Sequence, residues 1–350
     1  MALVAIGSCQ KEEPKPFIPA STEDKFIRAA DLSAWPKINA AGLQFYTADS
    51  MPGNFLDILQ NQGLNTVRLR LWVKPEDQHH SFAQVDSFAQ VLKSRGLKVW
   101  LCLHLSDTWA DPGHQAVPDI WTNLNFEQLK DSLYHYVYQV NQEIKPEILQ
   151  IGNEINPGFL LPYGDRWAST DQYFSLLDTA IIAARNSYSE AKIMVHYAGI
   201  DESAQDFYRQ IDGLDYDIIG LSYYPIWHGK SITALKNRFI ALSQEFEQDL
   251  MIAETAYPFT LGWNDWTNNI MGQEDQLVPT FPASPAGQKR YMLELREILE
   301  TNPKGLGFGY WGGELVAWKG PQGQNASPFE NQALFNFNNV ALPVQEVFNP

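Results

Sequence analysis

Residues 148–154 read ILQIGNE, a short apolar run that ends in two polar side chains, Asn153 and Glu154. A second run of the same kind, DLMIAET, covers residues 249–255 and carries Glu254 near its end. Burying an ionised carboxylate without partners is costly, so a chain that places one at the end of a buried strand usually needs it. The two stretches predict two buried strands that bring a pair of functional carboxylates together.

Eight such apolar runs alternate with helix-like stretches along the chain. The runs are FIRAADLS, TVRLRLWV, KVWLCLHLS, ILQIGNE, KIMVHYAG, YDIIGLSYY, DLMIAETAY and GFGYWGG. They are apolar on both faces, as parallel strands covered by helices should be. Stretches between them, such as LKDSLYHYVYQV, have helical periodicity. This order predicts an α/β fold, a TIM (β/α)8 barrel that forms a single domain over residues 25–350.

A doubly wound open sheet is the alternative arrangement. It is disfavoured because the chain has no Gly-rich phosphate loop of the GxGxxG or GxxxxGK[ST] type. Polar residues also gather at the carboxyl ends of the runs, which lie together on the catalytic face of a barrel. These residues are Asp31, Arg70, His104, Asn153, Glu154, His196, Tyr223, Glu254 and Trp311.

Charge and composition exclude several classes of function. The chain of 350 residues has a net charge of −16 and no dense basic patch, which excludes nucleic acid and anionic lipid surfaces as expected partners. The histidines show no HxH or HExxH spacing, so we predict no metal ion and no cofactor. The 11 tryptophans are a high number, and Trp also forms flat platforms for ligands. We expect a monomer.

The first 24 residues have a different character from the rest of the chain. The string IGSC, which ends at Cys9, resembles a bacterial lipobox, and QKEE after it resembles the acidic export tag of surface lipoproteins in Bacteroidetes. The apolar stretch before Cys9 is far shorter than the roughly 20 residues that span a bilayer, and it lacks a basic n-region. A frayed N-terminus is the alternative. We predict that residues 1–24 are a signal remnant and disordered tether of an outer-membrane lipoprotein facing the cell surface, or of an otherwise secreted or periplasmic protein.

The two glutamates fit the two roles of retaining glycoside hydrolysis. Glu154 follows a strongly apolar run that predicts a buried strand. Partial desolvation at such a position raises the pKa of an acid and lets it hold a proton at neutral pH. We predict that Glu154 is the general acid/base. Glu254 is predicted to stay ionised, held by hydrogen-bond donors, and to act as the nucleophile.

Two kinds of donor are available for the nucleophile. Arg70 in VRLRLW is the expected partner of Glu254, because a buried arginine needs a carboxylate. Arg68 shares the same barrel face, so one of the two arginines has a structural role. Tyr223 or Tyr224 is expected to donate a second hydrogen bond.

Aromatic residues recur in the loops that follow the runs, including Trp263 and Trp266 in a long segment over about 260–285. Any single Trp is more often in the core, but several on one face predict an aromatic cleft that stacks on sugars. His104 is either a core histidine or a substrate contact. A role as a metal ligand is disfavoured, because the other histidines are not spaced as metal ligands. The substrate contacts predicted from these residues are His104, Asp107, Trp109, Trp227, His228 and Trp311.

Several long strings resemble glycoside hydrolase family 53, the endo-β-1,4-galactanases. They are VRLRLWV, SDTWADPGHQ, IGNEI, GLSYYPIWHG, ETAYPFT and FENQALF, and the resemblance extends from about Phe26 to Phe348. It implies a retaining TIM barrel that cleaves β-1,4-galactan, including type I arabinogalactan side chains of pectin. It also implies the acid/base role for Glu154 and the nucleophile role for Glu254. The substrate contacts that the resemblance implies are Arg70, His104, Asn153, Tyr223 and Trp311.

Three alternatives stay open beside this resemblance. One is a non-catalytic surface barrel that binds glycans, and another is a retaining hydrolase of the same clan that acts on another β-glycan such as mannan. A metal-dependent barrel hydrolase is a third.

Departures from the family pattern concern the rim of the cleft. Leu161-Pro162 stands where members commonly carry Trp-Pro, and Gly312-Gly313-Glu314 follows Trp311 where Glu-Pro is usual. Some bacterial members bind calcium through an Asp-rich run after the nucleophile. The stretch NDWTNNIMGQEDQ does not reproduce that run, so a calcium site is not predicted here.

Overall fold

The computed structural model describes residues 25–350 and shows a closed barrel of parallel strands. Each strand pairs with its neighbours in sequence, and the last pairs with the first. The predicted TIM barrel is confirmed, because an open sheet would leave two edge strands. Each predicted run overlaps one strand of the barrel, and the last strand begins two residues before its run. The strands are β1 Ile27–Asp31, β2 Thr66–Leu71, β3 Lys98–Leu103, β4 Ile148–Ile151, β5 Lys192–Ala198, β6 Ile218–Ser222, β7 Asp249–Thr255 and β8 Gly305–Tyr310.

Helices connect the strands and cover the outside of the barrel. They are α1 Trp35–Ala40, α2 Phe55–Asn61, α3 Phe82–Ser94, α4 Phe126–Ile144, α5 Thr170–Ser187, α6 Ser203–Gln210, α7 Pro225–His228, α8 Ile232–Glu245 and α9 Pro285–Glu300. Local sequence sets their ends: Asn125 and Gln128 form a capping box at the start of α4, which satisfies backbone N–H groups that have no partner within the helix. The outward side chains of the strands pack against these helices in one continuous apolar core.

Inside the barrel, an apolar floor lies below a polar mouth. The floor consists of Ile27, Ala29, Trp100, Ile148, Met194, Ile218, Met251 and Ala253. Two residues further along their strands come the buried polar side chains of Asp31, Gln150 and His196. Alternate residues of a strand face the same side of the sheet, so these side chains also point inward, toward the carboxyl end of the barrel.

Strand β7 departs from strict alternation at Ala253 and Glu254. Its pairing with β6 runs from Ile252 opposite Leu221 directly to Glu254 opposite Ser222, so Ala253 is an extra residue. Ala253 packs in the apolar floor, and the next side chain, Glu254, still faces the inside and lines the mouth. A β-bulge re-aims a side chain in this way, and here it turns the carboxylate of Glu254 into the barrel.

Cys9 and the predicted tether over residues 1–24 lie outside the described residues. Over residues 25–350, none of the helices combines the length and the apolar character that crossing a bilayer requires. Cys102 is a buried free thiol on β3, as expected from its apolar run.

Candidate active site

A cleft of about 480 Å³ opens at the carboxyl end of the barrel, between the loops that follow the strands. Both glutamates face it, together with all of the predicted substrate contacts except Asp107 and Tyr223. Its lining consists of Arg70, His104, Trp109, Ala110, Asp111, Pro112, Asn153, Glu154, Ala198, Tyr224, Trp227, His228, Glu254, Ile270, Trp311 and Phe329.

Each carboxylate oxygen of Glu254 has its own partner. Arg68 Nη2 lies 2.8 Å from Oε1, and the Tyr224 hydroxyl donates a hydrogen bond of 3.1 Å to Oε2. Burial raises the pKa of Glu254, and the guanidinium of Arg68 opposes that shift. Arg68 and Tyr224 are thus the contacting groups that stabilise the charged form of this carboxylate against the effect of burial.

Arg68 is fully buried at the centre of the mouth and is held from several sides. Its Nη1 donates to Asp31 Oδ2 at 2.7 Å, and its Nη2 donates to Asn153 Oδ1 at 2.8 Å. Its guanidinium also lies 5.4 Å from the centre of the Trp100 ring in the floor. These contacts fix the cation in one position, which in turn fixes the carboxylate of Glu254.

The prediction that Arg70 is the arginine partner of Glu254 is wrong. Arg68 lies opposite Asp31 in the strand register and deeper in the barrel than Arg70. From this position its side chain reaches across to Glu254 on β7. Arg70 sits one inward position nearer the rim. Its guanidinium lies over the Trp109 ring at 4.3 Å, and its Nη1 is 3.3 Å from Asp31 Oδ1. Arg70 lines the cleft, so its predicted contact with substrate stays a prediction.

Glu154 reaches the cleft through a tight turn after β4. Gly152 has a φ of 73°, and a Cβ there would lie 2.4 Å from Ile155 Cγ2. Glu154 itself has a φ of 52°, a left-handed conformation that is unfavourable for a residue with a side chain. The sequence Gly-Asn-Glu therefore ends the strand and turns the carboxyl inward.

The surroundings of Glu154 favour its protonated form. Its Oε1 accepts a hydrogen bond from the Ser222 hydroxyl, and no ion pair to Glu154 is found within residues 25–350. Burial raises the pKa of Glu154 to about 8, and the negative charge of Glu254 acts in the same direction. One carboxyl of the pair is thus matched to a cation while the other keeps a proton, as a nucleophile and a proton donor require.

His104 presents an unpaired nitrogen to the cleft. Its Nδ1 accepts a hydrogen bond of 2.9 Å from the Ala110 backbone N–H, and its buried Nε2 has no partner among the described residues. Burial holds the pKa of His104 well below its usual range, so the ring is neutral and carries its proton on Nε2. This N–H is free to donate to a ligand hydroxyl, which favours the substrate-contact interpretation over that of a core histidine.

Aromatic rings form the walls of the cleft. Trp109 and Trp311 lie 6.1 Å apart between ring centres, and Phe329 packs edge-on against Trp311 at 4.3 Å. On the opposite wall, Trp227 is 55% exposed and packs against Tyr224. Trp263 and Trp266 were expected to belong to the same wall. They are exposed, at 54% and 60%, but they do not line this cleft.

Tyr223 was predicted to contact substrate, and the structure corrects this. It is fully buried, its hydroxyl donates to the Gly229 carbonyl at 3.0 Å, and its ring stacks with Tyr291 of α9 at 6.4 Å. Successive residues of an extended segment face opposite sides, so Tyr224 takes the inward position and Tyr223 packs in the helical layer.

Asp107 also lies outside the cleft lining, contrary to its predicted role. Its Oδ1 accepts a 2.7 Å hydrogen bond from the Lys74 backbone N–H, and its Oδ2 accepts one of 2.8 Å from the Asp119 backbone N–H. Both oxygens are used to tie two loops together. Asp111 lines the cleft instead. No sequence signal distinguished Asp111 from other acidic residues in the loops.

Three polar residues beneath Glu154 were not predicted as site residues with a role. Ser222, His196 and Gln150 are fully buried and connect to one another and to Glu154 by hydrogen bonds. The available signal was their position: each is a polar side chain at an inward site of an otherwise apolar strand.

The comparisons with known proteins agree with this site. A family profile described as Glycosyl hydrolase family 53 matches residues 27–348. The arabinogalactan endo-β-1,4-galactanase of Cellvibrio japonicus is 31% identical over 333 residues, covering 87% of this chain and 86% of the relative. The solved catalytic domain of the family 53 enzyme of Ignisphaera aggregans has a TM-score of 0.86 and 35% identity, covering 96% of this chain and 99% of that one. A fungal β-1,4-galactanase structure has a TM-score of 0.81 and 26% identity, covering 92% and 98%.

Proposed function

Because the chain belongs to glycosyl hydrolase family 53, we propose that it cleaves internal β-1,4-galactosidic bonds of galactan with net retention at the anomeric carbon. Relatives named as arabinogalactan endo-β-1,4-galactanases support this substrate, including those of Cellvibrio japonicus and Aspergillus niger. The type I arabinogalactan side chains of pectin contain the same bond, so they are the proposed natural substrate.

In the first step, Glu254 attacks the anomeric carbon and forms a covalent glycosyl ester. The glycosidic carbon–oxygen bond breaks, and Glu154 transfers its proton to the departing oxygen. In the second step, Glu154 as a carboxylate removes a proton from water, whose oxygen attacks the same carbon and releases Glu254. The product keeps its anomeric configuration, and both side chains return to their starting protonation states.

The observation that carries this proposal is the unequal placement of positive charge around the two carboxyls. Arg68 and the Tyr224 hydroxyl contact Glu254, which supports an ionised nucleophile. Among the described residues, the hydrogen-bond partner of the Glu154 carboxyl is the neutral Ser222 hydroxyl, which supports an acid that is protonated near neutral pH. Exchanging the two roles would require a proton on the carboxyl that faces the arginine.

The time course of oligosaccharides released from linear β-1,4-galactan tests the substrate and the mode of cleavage together. A mixture of intermediate lengths at early times is expected, because an open cleft admits internal bonds. NMR of the first product should show the β-anomer before mutarotation, and the α-anomer would overturn retention. Faster hydrolysis of mannan or xylan would favour another β-glycan as substrate. Binding of galactan without hydrolysis would favour the non-catalytic barrel.

We further propose that the reaction needs no metal ion. Nucleophile and acid are both side chains, so each step balances without one. The candidate calcium ligands are Asp265, in the loop after β7, and Glu330, in the segment after β8. Both are buried, and each has one oxygen without a hydrogen-bond partner among the described residues. Calcium takes six to eight oxygen ligands, however, and within residues 25–350 no three Asp, Glu, His or Cys side chains are grouped to share a metal. An unchanged melting temperature and unchanged galactan hydrolysis after chelation would support this proposal.

The N-terminus is the basis of a separate proposal. We propose that Cys9 is lipidated and anchors the barrel to the outer membrane with its cleft exposed at the cell surface. The support is the lipobox-like string that ends at Cys9, followed by the acidic QKEE. Expression with a radiolabelled fatty acid should label the protein, and Cys9→Ala should abolish the label. Equal labelling of both would overturn the anchor.

A further inference from the structure

We propose that Gln150, His196 and Ser222 are positioning residues that fix the acid proton of Glu154 on its Oε2 atom. The inference deepens the proposed function, since it rests on the role of Glu154 as proton donor. It follows from a chain of four buried hydrogen-bonding groups whose direction can be worked out from one end.

The chain begins at Gln150, whose amide orientation is fixed by two groups that only donate. Trp100 Nε1–H lies 3.1 Å and Arg68 Nε–H lies 3.2 Å from the same Gln150 atom, which must therefore be the carbonyl oxygen Oε1. The amide nitrogen Nε2 then faces the other way, 2.9 Å from His196 Nδ1. The same nitrogen lies 3.0 Å from the Gly152 carbonyl and 3.2 Å from Asn153 Oδ1, so its two hydrogens face three acceptors, of which His196 Nδ1 is the nearest. Because an amide nitrogen can only donate, a proton on Nδ1 would oppose it at 2.9 Å, so Nδ1 of His196 accepts.

A second donor agrees with this assignment. The backbone N–H of Glu154 also points at His196 Nδ1, at 3.4 Å. Asn153 Oδ1 lies 3.1 Å from Nδ1, but that oxygen already accepts from Arg68 Nη2 at 2.8 Å. A proton on Nδ1 would gain this one acceptor and oppose two donors. The neutral ring therefore carries its proton on Nε2.

His196 is held neutral by its surroundings. It is fully buried, and burial together with the positive charge of Arg68 and the neighbouring His228 holds its pKa well below the usual range. The ring therefore has one N–H to donate. That N–H faces Ser222 Oγ at 2.9 Å.

The direction of the chain at Ser222 decides where the acid proton sits. The hydroxyl accepts from His196 Nε2–H, so its single hydrogen is free for its other close neighbour, Glu154 Oε1. Oε1 thus accepts a hydrogen bond and cannot carry the acid proton in this arrangement. The proton lies on Oε2, for which no protein hydrogen bond is found in the part of the chain that the structure describes.

The reversed chain would have the opposite consequence. If His196 carried its proton on Nδ1, Ser222 would donate to Nε2, and Glu154 Oε1 would donate to Ser222. The acid proton would then be directed into the protein instead of toward the glycosidic oxygen. Gln150, two positions before Gly152 and not part of the cleft lining, thus selects the productive proton position through His196 and Ser222.

Neutron diffraction from deuterium-exchanged crystals, grown below the pKa of Glu154, tests the assignment directly on the unmodified protein. Deuterium is expected on His196 Nε2 and on Glu154 Oε2, with the Ser222 deuteron directed at Oε1. Deuterium on His196 Nδ1 or on Glu154 Oε1 would overturn the proposal. The result does not depend on activity, so a failure to hydrolyse galactan would overturn the proposed function and leave the proton positions as measured.

Kinetics of Ser222→Ala give a second readout. The substitution removes a hydrogen-bond donor to the Glu154 carboxylate, which should raise the pKa of Glu154. The alkaline limb of the pH profile of kcat/KM should therefore shift to higher pH by about one unit. The other charged groups that face Glu154 are Glu254, Asp111 and Arg68, and none of them is altered by the substitution. We expect kcat to fall about tenfold while KM changes little, because the loss concerns proton transfer.

Two variants control for a merely structural effect. Ser222→Thr keeps the hydroxyl and should return the limb to its original position. Ser187→Ala removes a hydroxyl that bonds only to groups of its own helix and to Asn141, so it should leave the limb unmoved. An alkaline limb of Ser222→Ala that stays in place or moves to lower pH would contradict the proposal.

Discussion

The two sides of the barrel mouth use different physics to hold the same kind of side chain. On the side of β1, β2 and β7, Asp31, Arg68 and Glu254 form a buried charged network that ends at the cleft with Glu254. On the side of β4, β5 and β6, Glu154 ends a chain of neutral hydrogen-bonding groups that passes through Ser222 and His196. Both glutamates are buried, so burial does not explain why their roles differ. What differs is the set of groups that contact each carboxyl, and these groups determine its role.

Charge balance explains why the two sides differ. Arg68 and Arg70 bring two positive charges into the mouth, and Asp31 and Glu254 match them. A third ionised carboxyl would have no cation of its own. Glu154 therefore stays protonated until the solution is alkaline enough to remove its proton.

Glu254→Gln should have the largest effect on galactan hydrolysis. We expect kcat to fall by about 10⁴-fold or more, because no nucleophile remains on the charged side. Glu154→Gln should leave the first step nearly unchanged on an aryl β-galactoside, because that leaving group needs no proton from the acid. Single-turnover kinetics on that substrate would separate the two variants. Equal losses would contradict the division of roles.

Replacing Arg68 should destabilise the charged network of Asp31, Arg68 and Glu254. Arg68→Met leaves Asp31 and Glu254 buried without their shared cation, so we expect a loss of about 3–5 kcal/mol in the free energy of unfolding. Arg70→Met is the matched control on the same strand. It should cost less, since Asp31 keeps Arg68 and Arg70 does not touch Glu254. Urea denaturation of both variants gives the measurement, and an equal or larger loss for Arg70→Met would contradict the central place of Arg68.

The pH dependence of kcat/KM should report the two sides separately. Glu154 must be protonated to act as an acid, so activity should be lost as the pH rises through about 8. Glu254 must be ionised, and burial raises its pKa, so the acidic limb should lie above the ordinary glutamate value of 4.5.

Glu314 provides the control for the alkaline limb. It is fully buried beside the N–H of Ala34, and burial raises its pKa to about 8 as well, but it does not line the cleft. Glu314→Gln should therefore leave the limb in place. A limb that disappears in this variant would assign the titration to Glu314 instead of Glu154.

The smallest effect is expected at the aromatic walls. Trp227→Ala should raise KM for galactan about tenfold, equivalent to about 1.4 kcal/mol of binding, with kcat nearly unchanged. Trp263→Ala is a matched control, because the two rings are exposed to nearly the same extent and only Trp227 lines the cleft. An equal rise in KM for both would show that the substrate extends over the loop after β7.

Much of this fold could be predicted from the sequence because its signals are local and repeated. A run such as ILQIGNE is buried on both faces and ends in polar residues, and eight runs of this kind leave few alternatives to a barrel. The same logic placed Glu154, Asn153 and His104 at one face. It did not distinguish Arg68 from Arg70 or Tyr223 from Tyr224, because the members of each pair are nearly equivalent in a pattern.

The sequence by itself determined the barrel, the catalytic face and the identity of the two glutamates, since periodicity and strand ends are properties of neighbouring residues. Tertiary structure alone decided how they are used. The β-bulge at Ala253 turns Glu254 into the mouth. Arg68 lies deeper in the barrel than Arg70, and it is therefore the arginine that pairs with the Glu254 carboxylate. The acid proton of Glu154 depends on groups from β4, β5 and β6, up to 68 residues away, that meet only when the barrel closes. Such contacts join positions that are distant along the chain, and hydrogen-bond direction depends on geometry that no local pattern encodes.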